Sequence, residues 1–334
     1  MAVAELPAHT QLARKPRSLM SDSINRLRKN KLAVSSIVIL ILIIAAAVFA
    51  PYITTGDFAK QDLMANNAIP HWMLFLMPRG AENYVRFSDK FIIGADDLGR
   101  DLWTRTVYGA RISLAVAIVA STVSLLVGTV YGLISGYVGG KVDTIMMRIV
   151  DFLYGFPFLI VVILLQTYFK AVARRGVGGG FGQAMVSINE SMGGMFFLFL
   201  AIGLVNWIGM ARIARGQVLS IRRKEFVEAA KAVGAPDIRI IFRHILPNIV
   251  GPLIVVETLA IPGYIFLEAF LSFIGLGVDA PTPSWGIMIS EAAPGIRTYP
   301  NQLLPPALAL TITTLAFNFM GDGLRDAFDP RLKE

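Results

Sequence analysis

No cysteine occurs in the 334 residues. That excludes disulfides, thiolate metal sites and a cysteine nucleophile, and it leaves the compartment open. Histidine is nearly as scarce, with only His9, His71 and His244. None lies in a long apolar run, and neither HExxH nor GxSxG occurs, so an intramembrane hydrolase has no Ser/His pair to work with. His244 reads as structural. Charge is sparse too: Asp, Glu, Lys and Arg make up 16% of the chain, against about 25% in a soluble domain.

Apolar length fills the space. The chain is 55% hydrophobic with a mean hydropathy of +0.61, and several runs exceed the roughly 18 residues that read as a bilayer span. Six spans are expected, at about 32–53, 112–137, 152–169, 193–210, 249–271 and 303–320. The first follows the basic "RLRKNK" and reads as a signal anchor that is not cleaved. The fold class is therefore all-α, a polytopic membrane helical bundle of six transmembrane helices.

The formal net charge is +8, and in a membrane chain it marks the cytoplasmic side rather than nucleic acid. Basic residues collect in four segments. These are the N-tail (Arg14, Lys15, Arg17 and Arg26 to Lys31), the 141–148 turn, the 212–243 stretch and the C-tail (Arg325, Arg331, Lys333). All four share one side if both termini are cytoplasmic. Lys170, Arg174 and Arg175 fall on the other side and dissent mildly.

Within the spans, Gly128, Gly132 and Gly136 recur every four residues, and Gly140 continues the series. Such a stripe lets another helix approach closely, and it would equally suit a hinge. Gly139, Gly140 and Lys141 come near a phosphate loop, but Ser135 and Val142 stand where Gly and Ser or Thr are needed. Glu257 and Glu268 lie in or near the fifth span, where a carboxylate faces a bundle interior or a watery path. Glu257 is the better path candidate, and a polar contact near the membrane face is its alternative. Pro262 and Gly263 are expected to interrupt that helix. Asp96, Asp97 and Asp101 lack the spacing of a calcium loop and read as a solvated helix start or cap, while Leu102, Trp103 and Tyr108 suit an outer interfacial helix leading into the second span.

The charged stretch "KEFVEAAKAVGAPDIRIIFRHILPN", Lys224 to Asn248, separates the fourth and fifth spans. Phe226, Val227, Ala229, Ala230 and Val233 recur at helical spacing, with Glu225, Glu228 and Lys231 on the other face. Gly234 stops that helix, Pro236 can begin a second, and Ile238, Ile241, Phe242 and Ile245 give the second its stripe before Pro247 ends it. A helix lying flat on the bilayer is one reading. A cytoplasmic helix–turn–helix knob for a soluble partner fits better, because its small residues permit close approach and Glu228 could meet a base.

"EAAKAVGAPDIRIIFRHILPN" resembles the EAA loop of the inner-membrane permease subunits of bacterial ABC importers. Glu228, Ala229, Ala230, Gly234, Leu246 and Pro247 match, and His244 stands where the pattern has Ile, with elbow and stop intact. "IGADDLGRDLWTRTVYGARISL", "LSFIGLGVDAPTPSWG" and "FNFMGDGLRDAFDPRLK" are similar to the second permease subunit of oligopeptide, dipeptide and nickel systems. This resemblance implies two homologous permeases (a heterodimer) around one path in the inner membrane, two cytoplasmic ATPases and an extracytoplasmic solute-binding protein. It places ATP and Mg on the ATPases and no cofactor or metal on this chain. The residues expected to dock the ATPase are Glu225, Phe226, Glu228, Ala229, Ala230, Gly234 and Asp237.

The expected division is a cytoplasmic tail over 1–31, a first helix over 32–53, an extracytoplasmic loop over 54–111, a permease core over 112–321 with its loop at 222–248, and a cytoplasmic tail over 322–334. Peptide is the first choice of solute and nickel the second, since a metal path should show more His or carboxylate steps than Glu257. A secondary transporter or channel would leave the EAA loop unexplained.

Overall fold

The chain is described by a computed structural model covering residues 19–54, 56–175, 179–192 and 194–328. Several expectations lie outside these residues, among them His9, the basic Arg14, Lys15 and Arg17, and Arg331 and Lys333.

The helices are α1 (Leu19–Lys29), α2 (Lys31–Val48), α3 (Ala50–Ile53), α4 (Leu102–Val138), α5 (Gly140–Tyr154), α6 (Phe158–Arg175), α7 (Gly179–Ser191) and α8 (Phe196–Ile221). After them come α9 (Glu225–Ala232), α10 (Asp237–Ile240), α11 (Leu246–Phe273), α12 (Trp285–Ala292) and α13 (Pro300–Phe328). Two-residue strands β1 (Ala68–Ile69) and β2 (Arg86–Phe87) pair in parallel between α3 and α4. Among the described residues five helices are long and apolar enough to cross a membrane, and a bent pair makes a sixth crossing if counted as one.

α2 is capped by Asn30, whose Oδ1 accepts from Ala33 N at 3.1 Å. Its outer face shows exposed Leu32, Ile41, Leu42 and Val48, as lipid contact requires. α4 starts where Asp101 accepts from the backbone N–H groups of Trp103 and Thr104, so Asp101 is a cap. It ends at Gly139, whose φ of +71° few other residues tolerate. The expected helix at Leu102, Trp103 and Tyr108 leads into the second span without a break, as one 37-residue helix. Nothing between Leu102 and Ile112 breaks the periodicity, and buried Thr104, Arg105 and Val107 hold that end in place.

The third span is not continuous. α5 and α6 meet at 81° across Gly155–Pro157, because Pro157 offers no N–H and its ring blocks the preceding turn. α11, in contrast, passes through Pro252 and Pro262 as one helix. The interruption expected at Pro262 and Gly263 does not occur, and α11 gives up only the hydrogen bonds its prolines cannot donate.

Three apolar cores hold the bundle together, two side by side around the first half of α4 and the third around its last turns. One, around Val116, Val162, Leu198 and Leu271, joins α4, α6, α8 and α11. A second, around Leu40, Leu114, Ile265 and Phe317, joins α2, α4, α11 and α13. Trp285 of α12 closes it, 1% exposed, with its Nε1 donating to Thr106 O at 3.0 Å. The third lies under the charged loop, where Leu133, Met210 and Val218 meet Val227, Ile240 and Ile245.

Candidate functional site

The loop between α8 and α11 folds as two short helices. α9 carries Glu225 and Glu228 in its first turn and Lys231 in its last, each charge complementing the helix dipole. Gly234 closes it at φ +76°. Gly234 N donates to Lys231 O at 2.9 Å and Ala235 N to Ala230 O at 3.0 Å, the paired bonds of a Schellman stop. Pro236 takes the cap position rather than the first helical one, and α10 begins at Asp237.

Pro247 does not end this second helix. Residues Ile241–Ile245 form a π turn, Leu246 N bonds to Ile241 O, and the helix continues as α11 through Pro247 near its start. The wider turn absorbs the proline that a regular α turn would reject. It also shifts the buried face. Ile240, Ile245 and Ile249 are buried, whereas Ile238 is 72% and Phe242 64% exposed. The expected stripe of Ile238, Ile241, Phe242 and Ile245 is thus only partly inward, since the extra residue per turn moves the inward positions.

The loop consequently has two faces. Val227, Ile240 and Ile245 plug it into the third apolar core. Glu225, Phe226, Glu228, Ala229, Gly234 and Asp237 are exposed and Ala230 is half-buried, so the expected docking residues share the outer surface of one knob. Val233, 86% exposed, and Phe226, 43% exposed, add apolar surface to it. Among the described residues Glu225 and Glu228 have no ion-pair partner, whereas Asp237 does have a contact: Tyr137 Oη of α4 donates to its Oδ1 at 2.5 Å.

Beneath the knob the helix ends are bolted together. Arg222 Nη1 donates to the carbonyls of Gly136 and Tyr137 at 3.0 and 2.8 Å. Arg215 of α8 grips Asp143 of α5 with Nε–Oδ1 at 2.5 Å and Nη2–Oδ2 at 2.6 Å, and Ser135 donates to the same carboxylate. Arg212 reaches Asp151 at 2.7 Å and lies 4.3 Å from the Tyr154 ring centroid. None of these partnerships was visible in the sequence, because all but the Ser135–Asp143 contact join residues far apart in the chain.

The glycines lie on the α4–α8 seam. A Cβ on Gly128 would come within 2.6 Å of Met210, on Gly132 within 2.5 Å of Ala211 O, and on Gly136 within 2.9 Å of Val218. Gly140 leaves the series: it sits in the turn after Gly139 with φ +58° and no neighbour within 4 Å of a Cβ.

Glu257 and Glu268 are buried between α11 and α4. Glu257 accepts from Ser124 Oγ at 3.0 Å and Tyr264 Oη at 2.9 Å. Glu268 accepts from Ser113 Oγ at 2.9 Å and Ser272 Oγ at 2.7 Å. Two apolar cavities of about 440 and 610 Å³ flank α8 and share Asn206, and Tyr264 borders the first. Neither carboxylate lines them.

At the end of α4 away from the knob, Arg105 (1% exposed) and Arg100 both pair with Glu291 of α12, at 2.7 and 3.0 Å. Asp96 holds Arg100 at 2.6 Å and Arg105 at 3.5 Å. Asp96 is thus a buried ion-pair member and not part of a solvated helix start.

A family model described as "Binding-protein-dependent transport system inner membrane component" matches residues 128–334, and one described as "N-terminal TM domain of oligopeptide transport permease C" matches residues 18–70. The chain is 40% identical to the oligopeptide transport system permease protein OppC of Bacillus subtilis over 97% of its length and 93% of that protein. It is 41% identical to the dipeptide transport system permease protein DppC of Bacillus subtilis, over 95% of this chain and 87% of that protein. It is also 41% identical to OppC of Escherichia coli K12, over 94% and 92%. A chain from an inward-facing crystal form of the MetNI methionine ABC transporter matches the fold with a TM-score of 0.52 at 16% identity, over 67% of this chain and 96% of that one.

Proposed function

The chain belongs to the family of binding-protein-dependent transport system inner membrane components, and on that premise we propose that it is one permease subunit of an ATP-driven peptide importer. It pairs with a homologous permease, two cytoplasmic ATPases dock on the paired loops, and an extracytoplasmic binding protein delivers the peptide. ATP and Mg belong to the ATPases, and this chain transmits motion without holding a cofactor. Both termini are cytoplasmic, following the basic residues.

A knob whose underside is locked into the bundle and whose outer face offers free acids beside apolar side chains is suited to carry force from a soluble partner. α8 runs into α9 and α10 runs into α11, so a push on the knob bears on two spans at once. Rigid bundles rocking about a shared path then give alternating access.

The test is co-purification from the native membrane in mild detergent, with and without Glu228→Arg. Wild type is expected to bring the paired permease and the ATPases, and E228R to keep the permease while losing the ATPases. Wild type that purifies alone and moves peptide into liposomes without ATP would overturn the proposal.

A further inference from the structure

Of the three spans around the loop, two are joined to it through the backbone. α8 leads into it and α11 continues from it through the π turn. α4 is not joined in this way. Its cytoplasmic end touches the loop through the apolar core at Leu133 and through one side chain, Tyr137.

Tyr137 is half-buried in the last turn of α4. Its hydroxyl donates to Asp237 Oδ1 at 2.5 Å, at the first residue of α10. Lys231, in the last turn of α9, holds its Nζ 5.6 Å from the ring centroid. The Tyr137 carbonyl accepts from Arg222, at the end of α8, at 2.8 Å. One residue thus meets both loop helices and the helix before them. Among the described residues the Tyr137–Asp237 bond is the one side-chain hydrogen bond between α9–α10 and α4.

α4 is also the rod that leads away from this joint. Its 37 residues span about 55 Å. Along it lie the glycine seam with α8, the Ser124–Glu257 and Ser113–Glu268 bonds to α11, and at the far end the Arg105–Glu291 pair with α12. A displacement of the knob that pulls on Tyr137 is delivered to the outer end through a single stiff element.

We infer that Tyr137 is the positioning residue that makes α4 follow the coupling loop, its hydroxyl-to-Asp237 bond converting ATPase motion at the knob into movement of the outer end of the path. The inference rests on the importer reading above. The residue is not part of the docking surface: it lies beneath the knob, and Phe at this position keeps the ring under Lys231 while removing the hydroxyl.

The experiment uses the assembled complex in liposomes and reads peptide moved per ATP hydrolysed. Tyr137→Phe is expected to co-purify with the ATPases as wild type does and to hydrolyse ATP. Its transport per ATP should fall about three- to tenfold, the scale of losing one partly exposed charge-assisted hydrogen bond. Tyr137→Leu, which also takes the ring from beneath Lys231, should lower the ratio at least as far. An intact Y137F complex with an unchanged ratio overturns the inference, as does a proportional fall in assembly, hydrolysis and transport, which marks a purely structural role. Wild type without bound ATPases overturns the importer reading itself, an outcome separate from either.

Discussion

Ser113 of α4 donates its hydroxyl to Glu268 of α11 at 2.9 Å, with both side chains buried. Eleven residues further along α4 and eleven back along α11, Ser124 and Glu257 repeat the arrangement at 3.0 Å. Eleven residues are close to three whole turns, so both pairs fall on the same antiparallel seam. A one-residue slip would part both carboxylates from their hydroxyls at once. The seam is therefore fixed in register.

Removing one of these acceptors strands its donors. Glu268→Ala leaves Ser113 and Ser272 hydroxyls buried without it, and a loss of about 1–3 kcal/mol is expected, toward the lower end if the unfolded chain in detergent finds other partners. Glu268→Gln keeps an acceptor and gains an amide donor that either serine oxygen can accept, so it should stay within about 1 kcal/mol of wild type. Unfolding curves in mixed micelles would compare the two. Equal damage from Gln and Ala would mean that the seam needs the carboxylate itself.

Much of the bundle was legible in the sequence for a simple reason: long uncharged runs have few alternatives to crossing a membrane. The loop's elbow was legible as well, because Gly234 and the acids of α9 act locally. What escaped depends on contacts between distant residues or on subtle backbone choices. Pro157 breaks a span while Pro262 does not, yet each is a proline in an apolar run. Around the π turn at Ile241–Ile245, Ile245 is buried as expected, but Ile238 and Phe242 are exposed and Ile240 is buried in their place, a change no 3.6-residue period foresees. Glu257 and Glu268 stood out as costly charges, but Ser113 and Ser124 gave no signal of being their partners.

The glycine seam predicts a sharp contrast between positions. A methyl group on Gly132 would meet Ala211 O at 2.5 Å and Arg215 N at 2.7 Å, both backbone atoms that cannot swing aside. Gly132→Ala should therefore cost about 1–3 kcal/mol by forcing α4 and α8 apart. Gly216 of α8 has no neighbour within 4 Å of a Cβ, and Gly216→Ala should be neutral or stabilise by up to about 1 kcal/mol. Thermal unfolding in detergent would rank them. A Gly132→Ala protein as stable as wild type would refute close packing at this seam.

The segment between α3 and α4 carries an acid-sensitive tie. Asp89 accepts from the backbone N–H of His71 at 3.0 Å and lies 2.9 Å from its Nδ1, contacts that hold its carboxyl below the usual Asp range. The Lys90 ammonium does the same for Asp62. Because the folded state binds these protons less readily than the unfolded one, their stabilisation is present above the ordinary Asp pKa and is lost as pH falls through the lowered value. Hydrogen exchange in the 62–92 segment, corrected for intrinsic rates, should be flat from neutral pH to about 5 and rise only below about 4. Asp89→Asn should flatten part of that acid limb, and an unchanged limb would show that the tie contributes nothing.

Arg105 and Glu291 should behave asymmetrically when cut. Arg105 is 1% exposed, and without Glu291 it keeps, among the described residues, only Asp96 as an ion-pair partner, at 3.5 Å. Glu291→Ala therefore leaves a buried guanidinium poorly compensated, a situation that costs about 3–5 kcal/mol when the burial is complete. Glu291 itself is partly exposed, which lowers the expected loss to about 2–3 kcal/mol. Arg105→Met removes the buried charge and fills similar volume, while Asp96 and Glu291 both retain Arg100, at 2.6 and 3.0 Å. It should cost less than Glu291→Ala, about 1 kcal/mol. The double variant R105M/E291A should then be more stable than E291A alone, since the charge stranded by the first change is gone. Unfolding midpoints for the four proteins would complete the cycle. Strict additivity would show that Arg105 and Glu291 do not lean on each other, and the outer end of α4 would need another anchor to α12.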